Sequence, residues 1–138
     1  MLLTLDSSVI VAALRNQEPF HEQCWRILEQ LRDGRHVAVQ PFTVLVEVAA
    51  AIRRRTGSED LALRVYHDLR SLASLRFVEL DAVRTEGAIE VARLSGVRGM
   101  DAIVLQIARE FHSALVSLDE EMLAQARGLA RVEGIEVF

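Results

Sequence analysis

The N-terminal stretch Leu2-Leu3-Thr4-Leu5-Asp6-Ser7-Ser8-Val9-Ile10 decides the fold class. Residues 2–5 form a short, mostly apolar run of the length of a buried strand, and the run ends at a carboxylate. Residues 7–14 then follow a helical pattern, which breaks at residues 16–19. A strand that passes directly into a helix is the first half of a βαβ unit, so we expect a parallel sheet.

The rest of the chain repeats this alternation of short apolar runs and longer amphipathic segments. Helices therefore cover both faces of the predicted sheet, and the crossovers are expected to be right-handed. In such sheets the ligand site lies at the carboxyl ends of the strands. The pattern predicts strands at 36–40, 76–80, 114–118 and 134–138, and helices at 20–33, 42–55, 59–72, 81–94 (capped by Asp81), 100–111 and 119–130.

The bulk composition limits the class of protein. A chain of 138 residues, 51% of them hydrophobic, fits one domain spanning 1–138 with its own core. The lone Cys24 reads as a small core residue, which fits a reducing compartment. Residues 1–6 do not resemble a signal peptide, and no apolar run is long enough to cross a bilayer. We expect a cytoplasmic protein that is not bound to a membrane.

The charge excludes further classes. The net charge of −4 argues against a protein that coats nucleic acid by bulk electrostatics, although it leaves room for a nuclease with an acidic site. All sixteen basic residues are arginine. The absence of lysine excludes a signalling receiver domain, whose site needs one. A phosphatase with an aspartate nucleophile would carry a second aspartate where Ser8 stands.

Four of the twenty acidic residues are candidate site residues. Asp6 and Asp119 each follow a predicted strand, so both are expected to point into one crevice. Glu47 is the only polar side chain between Val44 and Ile52, where an unpaired charge would be costly to bury. Asp101 lies in the first turn of its helix. Each has an ordinary alternative: helix caps for the two strand-end aspartates, an exposed or arginine-paired Glu47, and a helix-dipole role for Asp101.

Carboxylates held together raise one another's pKa, and a hard divalent cation relieves their repulsion. Mg²⁺ and Mn²⁺ prefer oxygen ligands, whereas the sequence has no Cys/His spacing typical of zinc. An all-oxygen site with bound water suits phosphoryl chemistry.

At these residues the sequence resembles the PIN-domain family, most closely the VapC-type toxins of toxin–antitoxin pairs. Residues 5–10 look like the family's first motif, residues 46–48 like the second, residues 100–104 with Ala108 like the third, and residues 117–119 like the fourth. The resemblance covers nearly the whole chain in the usual order. Each motif by itself is weakly specific.

The resemblance implies a three-layer α/β/α fold with a parallel sheet of about five strands. It also implies a Mg²⁺ or Mn²⁺ site at Asp6, Glu47, Asp101 and Asp119, and endonucleolytic RNA cleavage by a metal-activated water. Ser8 matches the family's small polar residue near the metal, and Ser117 would orient Asp119 or a water. Homodimers or higher homo-oligomers and a small antitoxin partner are further implications. The alternative is a non-catalytic PIN-like scaffold that binds RNA or oligomerises.

Arg53-Arg54-Arg55 follows the Glu47 helix. These residues can grip RNA phosphates or an acidic antitoxin segment. The ordinary alternative is a solvated helix C-terminus, where arginine is favoured by the helix dipole.

Overall fold

The computed structural model describes residues 1–138 and contains a five-stranded parallel sheet between layers of helices, as predicted. The strands are β1 (Leu2–Leu5), β2 (Val37–Pro41), β3 (Leu75–Val78), β4 (Ala114–Val116) and β5 (Arg131–Val132). The helices are α1 (Ser7–Leu14), α2 (His21–Arg32), α3 (Thr43–Thr56), α4 (Glu59–Ser71), α5 (Ala82–Ser95), α6 (Gly99–Glu110) and α7 (Glu120–Ala126), with a 3₁₀ turn at Ile135–Val137.

The strand order is β3-β2-β1-β4-β5, and every pair of neighbours is parallel. The chain moves outward from β1 to β2 and β3, then returns to the other side of β1 to form β4 and β5. This reversal makes the carboxyl ends of β1 and β4 the switch point of the sheet, where ligands bind in doubly wound folds. Asp6 and Asp119 follow these two strands.

The core is built around the central strand. Leu3 and Leu5 of β1 are fully buried, as is Leu105 of α6, a helix that packs against β1 and β2. Helix α1 packs against α2 and α3, and the buried Cys24 of α2 belongs to the same core. Burial raises the pKa of the Cys24 thiol to about 11, so this cysteine is a core residue, as expected.

The C-terminal elements differ from the predicted ones. The last α-helix ends at Ala126 rather than 130, with Gly128 in a left-handed conformation just beyond it (φ 88°). The final strand is β5 at Arg131–Val132, not 134–138, because residues 131 and 132 pair with Ala114 and Leu115 of β4. Residues 135–137 instead form the 3₁₀ turn, which packs on α2.

The other elements lie within about two residues of their predicted bounds, and Asp81 caps α5 through its side chain, as expected. None of the helices combines the length and the apolar composition that a membrane-spanning segment needs.

A buried amide holds the end of β1. Gln40 of β2 is fully buried; its Oε1 accepts a hydrogen bond from the Leu5 N–H and its Nε2 donates one to the Leu5 carbonyl, both at 2.7 Å. The backbone register of β1 with β2 covers only Leu2 and Leu3, and the Gln40 side chain joins the two strands two residues beyond the last of these pairs. Gln40 thereby positions the backbone directly before Asp6.

We expect Gln40→Ala to lower the free energy of unfolding by about 3 kcal/mol, because it leaves a buried N–H and a buried carbonyl of Leu5 without partners. Urea unfolding of the purified protein measures this loss. Gln23→Ala, an exposed position on α2, is the matched control. Equal stability of the two variants would show that the Gln40 contacts do not hold the strand end.

Candidate active site

Asp6 lies at the carboxyl end of the central strand. Its backbone N–H donates to the Val116 carbonyl (2.9 Å), which extends the pairing of β1 with β4 by one residue. The side chain is buried, and its Oδ2 accepts hydrogen bonds from Ser8 Oγ (2.7 Å) and Ser117 Oγ (2.9 Å). Asp6 occupies the N-cap position of α1 but makes no side-chain cap hydrogen bond. The capping interpretation of Asp6 is therefore wrong.

Ser8 and Ser117 connect the ends of β1 and β4. Ser8 Oγ accepts a hydrogen bond from the Leu118 N–H (3.1 Å), and Ser117 Oγ accepts one from the Asp119 N–H (3.0 Å). Each hydroxyl thus donates to Asp6 and accepts from the segment that carries Asp119. Ser117 orients the Asp6 carboxylate and the Asp119 backbone, rather than the Asp119 side chain.

Glu47 lies in the second turn of α3 and is half-buried. Its Oε2 accepts a long hydrogen bond from Ser7 Oγ (3.4 Å), whereas its Oε1 is buried without any hydrogen-bond partner. Burial raises the Glu47 pKa, and the charges of Asp6 and Asp101 raise it further, while the Ser7 hydrogen bond lowers it. Glu47 makes no ion pair, so the alternative of an arginine-paired glutamate is wrong.

Asp101 lies in the first turn of α6 and is partly buried. Burial raises its pKa, as do the charges of Asp6 and then Asp119, and the nearby Arg98 lowers it. Asp119 is exposed, and its Oδ1 caps α7 by accepting from the Met122 N–H (3.1 Å). The capping interpretation of Asp119 is therefore correct, but it uses only one of the two carboxylate oxygens.

The four carboxylates meet at one groove of about 760 Å³. Glu47, Asp101 and Asp119 line it, and Asp6 is close enough for its charge to raise the pKa of Glu47 and of Asp101. One wall is apolar and comes from α5 and the first half of α6. The structure therefore brings together all four acids that were selected from the sequence.

The residues fit a hard divalent cation. Their donor atoms are all oxygens, and Glu47 Oε1 is a buried acceptor that lacks a partner. No three His, Cys, Asp or Glu side chains converge closely enough to ligate one ion together. This suits Mg²⁺, which proteins hold through one or two carboxylates while it keeps several waters.

Two residues of the site are not predicted from the sequence. Ser7 donates to Glu47, which lies forty residues away, and its sequence neighbours indicate only the start of a helix. Arg98 lines the groove beside Asp101 and precedes the helix predicted at 100–111. An arginine directly before a helix, where an oxygen-bearing cap is preferred, is the signal that would have identified it.

The arginine run lies outside the groove. Arg53, Arg54 and Arg55 are exposed in the last turn of α3, about two turns beyond Glu47, and none lines the groove. Arg55 hydrogen-bonds Glu18, which also accepts from Arg15 (3.0 Å). An RNA or antitoxin contact of this run stays a prediction.

The raised pKa of Glu47 makes the stability of the protein depend on pH. The ordinary pKa of a glutamate is 4.5, and the pKa of Glu47 is raised above it in the folded protein. Such a carboxyl contributes its full stabilisation at pH values below the ordinary pKa. This stabilisation is lost as the pH rises through the raised pKa. Without metal, Glu47→Gln should therefore become increasingly more stable than wild type as the pH rises above 4.5 toward the raised pKa of Glu47. Urea unfolding in EDTA measures this difference, with the exposed Glu22→Gln as control. A constant difference across this range would contradict the charge coupling.

Comparison with known proteins places this arrangement in a family. Residues 3–128 match the PIN domain. No curated protein sequence matches the chain significantly. Among solved structures, VapC20 from Mycobacterium tuberculosis, described as a Sarcin-Ricin loop cleaving toxin, has a TM-score of 0.75 at 19% identity, covering 96% of this chain and 99% of that one.

Two further structures have the same fold. VapBC2 from Rickettsia felis, solved with a DNA fragment from its promoter, has a TM-score of 0.72 at 16% identity, over 97% of this chain and 98% of that one. FitAcB from Neisseria gonorrhoeae has a TM-score of 0.69 at 16% identity, over 96% and 97%. At identities of 16–19% these structures show a shared fold. The match to the PIN domain, by contrast, is a match of sequence and spans residues 3–128, nearly the entire chain. The chain belongs to the PIN-domain family.

Proposed function

We propose that this protein is a cytoplasmic, Mg²⁺- or Mn²⁺-dependent endoribonuclease and the toxin of a toxin–antitoxin pair. The observation that carries the proposal is the environment of Glu47. One of its oxygens is buried without a partner, and its pKa is raised by burial and by the charges of Asp6 and Asp101. A carboxylate in this position destabilises the protein unless it binds a cation.

In this proposal Asp6, Glu47, Asp101 and Asp119 surround the metal, one or two of them as direct ligands and the others through its bound waters. A bound Mg²⁺ or Mn²⁺ supplies polarisation of the RNA phosphate and lowers the pKa of the attacking water. Ser8 and Ser117 fix the orientation of Asp6 by donating to its Oδ2. Ser7 holds one oxygen of Glu47, which leaves the other free for a ligand. Asp119 keeps one oxygen for the cap of α7 and one for the groove.

The similar structures support the toxin assignment, because they include toxins and toxin–antitoxin complexes of the same fold. The apolar surface of α5 supports a protein partner: Val83 and Leu94, which fall on one face of the helix, are 77% and 50% exposed. We assign this surface to the antitoxin or to a second copy of the chain in a homodimer.

The nuclease proposal predicts that the purified protein cleaves structured RNA in Mg²⁺ or Mn²⁺ and that EDTA abolishes cleavage. Asp6→Asn should reduce the rate by about a hundredfold or more, because a buried amide replaces a metal-binding carboxylate. Gel analysis of the RNA products measures the rate.

The matched control is Asp60→Asn, an exposed acid in the first turn of α4 that should cleave like wild type. Expression in cells extends the comparison, since wild type should arrest growth and Asp6→Asn should not. Equal cleavage by wild type and Asp6→Asn would show that the predicted site is wrong. No cleavage by wild type would favour the non-catalytic scaffold.

Metal binding can be measured without RNA. Mn²⁺ at about a hundred times its dissociation constant should stabilise wild type by about 2.7 kcal/mol, because it binds only the folded state. Glu47→Gln and Asp101→Asn should lose most of this gain in thermal unfolding scans, whereas Glu22→Gln should keep it. Equal Mn²⁺ stabilisation of all four proteins would contradict the ligand assignment.

A further inference from the structure

Arg98 is the only basic residue that lines the acidic groove. It lies directly before α6 with extended backbone angles (φ −64°, ψ 158°), three residues ahead of Asp101. Arg98 and Asp101 line the same groove, and the positive charge of Arg98 lowers the pKa of Asp101. The groove therefore combines at least three carboxylates with a single positively charged side chain, that of Arg98.

Arg98 is also unpaired. It is exposed and takes part in no ion pair within 4.0 Å and in no side-chain hydrogen bond, although Asp101 and Asp119 line the same groove. Other arginines of the chain, such as Arg15 and Arg84, have carboxylate partners at 3.0 Å. The five N–H donors of a guanidinium are thus free to bind an oxyanion.

The start of α6 supports an anion beside Arg98. Arginine has no acceptor atom and makes no cap here, so the first N–H groups of the helix lack a side-chain partner. Gly99 follows with ordinary backbone angles, and a Cβ at this position would meet no atom within 4 Å. Neither conformation nor packing requires this glycine, whereas a ligand that approaches the backbone closely would favour it.

The charge of the proposed RNA substrate explains why a basic side chain lies beside the carboxylates. RNA is a polyanion, and the proposed nuclease must bring it to a groove whose own charges are mostly negative. A bound metal offsets the charge at the scissile phosphate. A neighbouring phosphate would face the carboxylates without compensation unless a basic side chain stands beside them.

We propose that Arg98, assisted by the N-terminus of α6, binds a backbone phosphate of the RNA next to the carboxylate cluster. This inference rests on the proposed ribonuclease function. In this inference Arg98 at the groove binds the RNA backbone, and the arginine run at the end of α3 does not. Because the contact is to phosphate, it contributes affinity without selecting an RNA sequence.

The test measures the affinity of a fluorescent single-stranded RNA by anisotropy in Mg²⁺, with Asp6→Asn present in every protein to suppress cleavage. In this background Arg98→Ala should weaken binding about tenfold, as expected for loss of a charge-assisted hydrogen bond. The slope of log affinity against log salt should become shallower by about 0.7. Arg98→Lys should keep the salt slope and part of the affinity.

The matched control is Arg26→Ala on α2, an exposed arginine without an ion pair and outside the groove, which should bind like the parent. Circular dichroism melting checks that the Arg98 variants are folded. Equal binding by the Arg98→Ala and Arg26→Ala proteins would overturn the inference, as would the absence of RNA binding by all of them.

Kinetics without the Asp6 substitution separate this inference from the proposed function. Arg98→Ala should raise KM about tenfold with little change in kcat, because the phosphate contact exists before and during the reaction. Cleavage with an unchanged KM would overturn the role of Arg98 and leave the nuclease standing. Loss of RNA affinity in Arg98→Ala, together with no cleavage by wild type, would retain the phosphate contact and reject the nuclease.

Discussion

The buried carboxylate of Asp6 and its two serine hydroxyls are the interaction on which the candidate site depends. Ser8 comes from the helix after β1 and Ser117 from the segment after β4, and both donate to the same oxygen of Asp6. The same hydroxyls accept from the backbone of Leu118 and Asp119. One hydrogen-bonded cluster therefore satisfies a costly buried charge and joins the two strand ends.

The strand order explains why this cluster forms at all. Because β4 returns to the side of β1 opposite to β2, the carboxyl ends of β1 and β4 are neighbours although 111 residues separate Asp6 from Ser117. Gln40 supports the other side of β1 by pairing with the Leu5 backbone through its side chain. The central strand is thus held on both edges immediately before the residue that enters the site.

Helices α3 and α6 bring two further carboxylates to the groove, and their charges lower the stability of the folded protein. Glu47 and Asp101 reach the groove from α3 and α6, and burial together with like charges raises the pKa of both. Arg98 is the only opposing charge that lines the groove, and it leaves its donors unpaired. The proposed ligands, a divalent cation and RNA, would supply the interactions that the folded chain leaves open.

The sequence by itself determined the alternation of strands and helices and the buried character of β1, and it predicted four acids that the fold brings to one groove. These depend on local periodicity, on helix and strand end signals, and on one charged residue in an apolar run. Asp6, Glu47 and Asp119 were recognisable from their neighbours, whereas Asp101 needed the family motif. Only the tertiary structure decided that Asp6 is held by Ser8 and Ser117, that Glu47 keeps an unpartnered oxygen, and that β5 pairs at 131–132. These contacts join residues that are far apart in the chain. The local sequence offers several equally suitable hydrogen-bond partners and strand registers, and only the packing of the whole fold selects one of them.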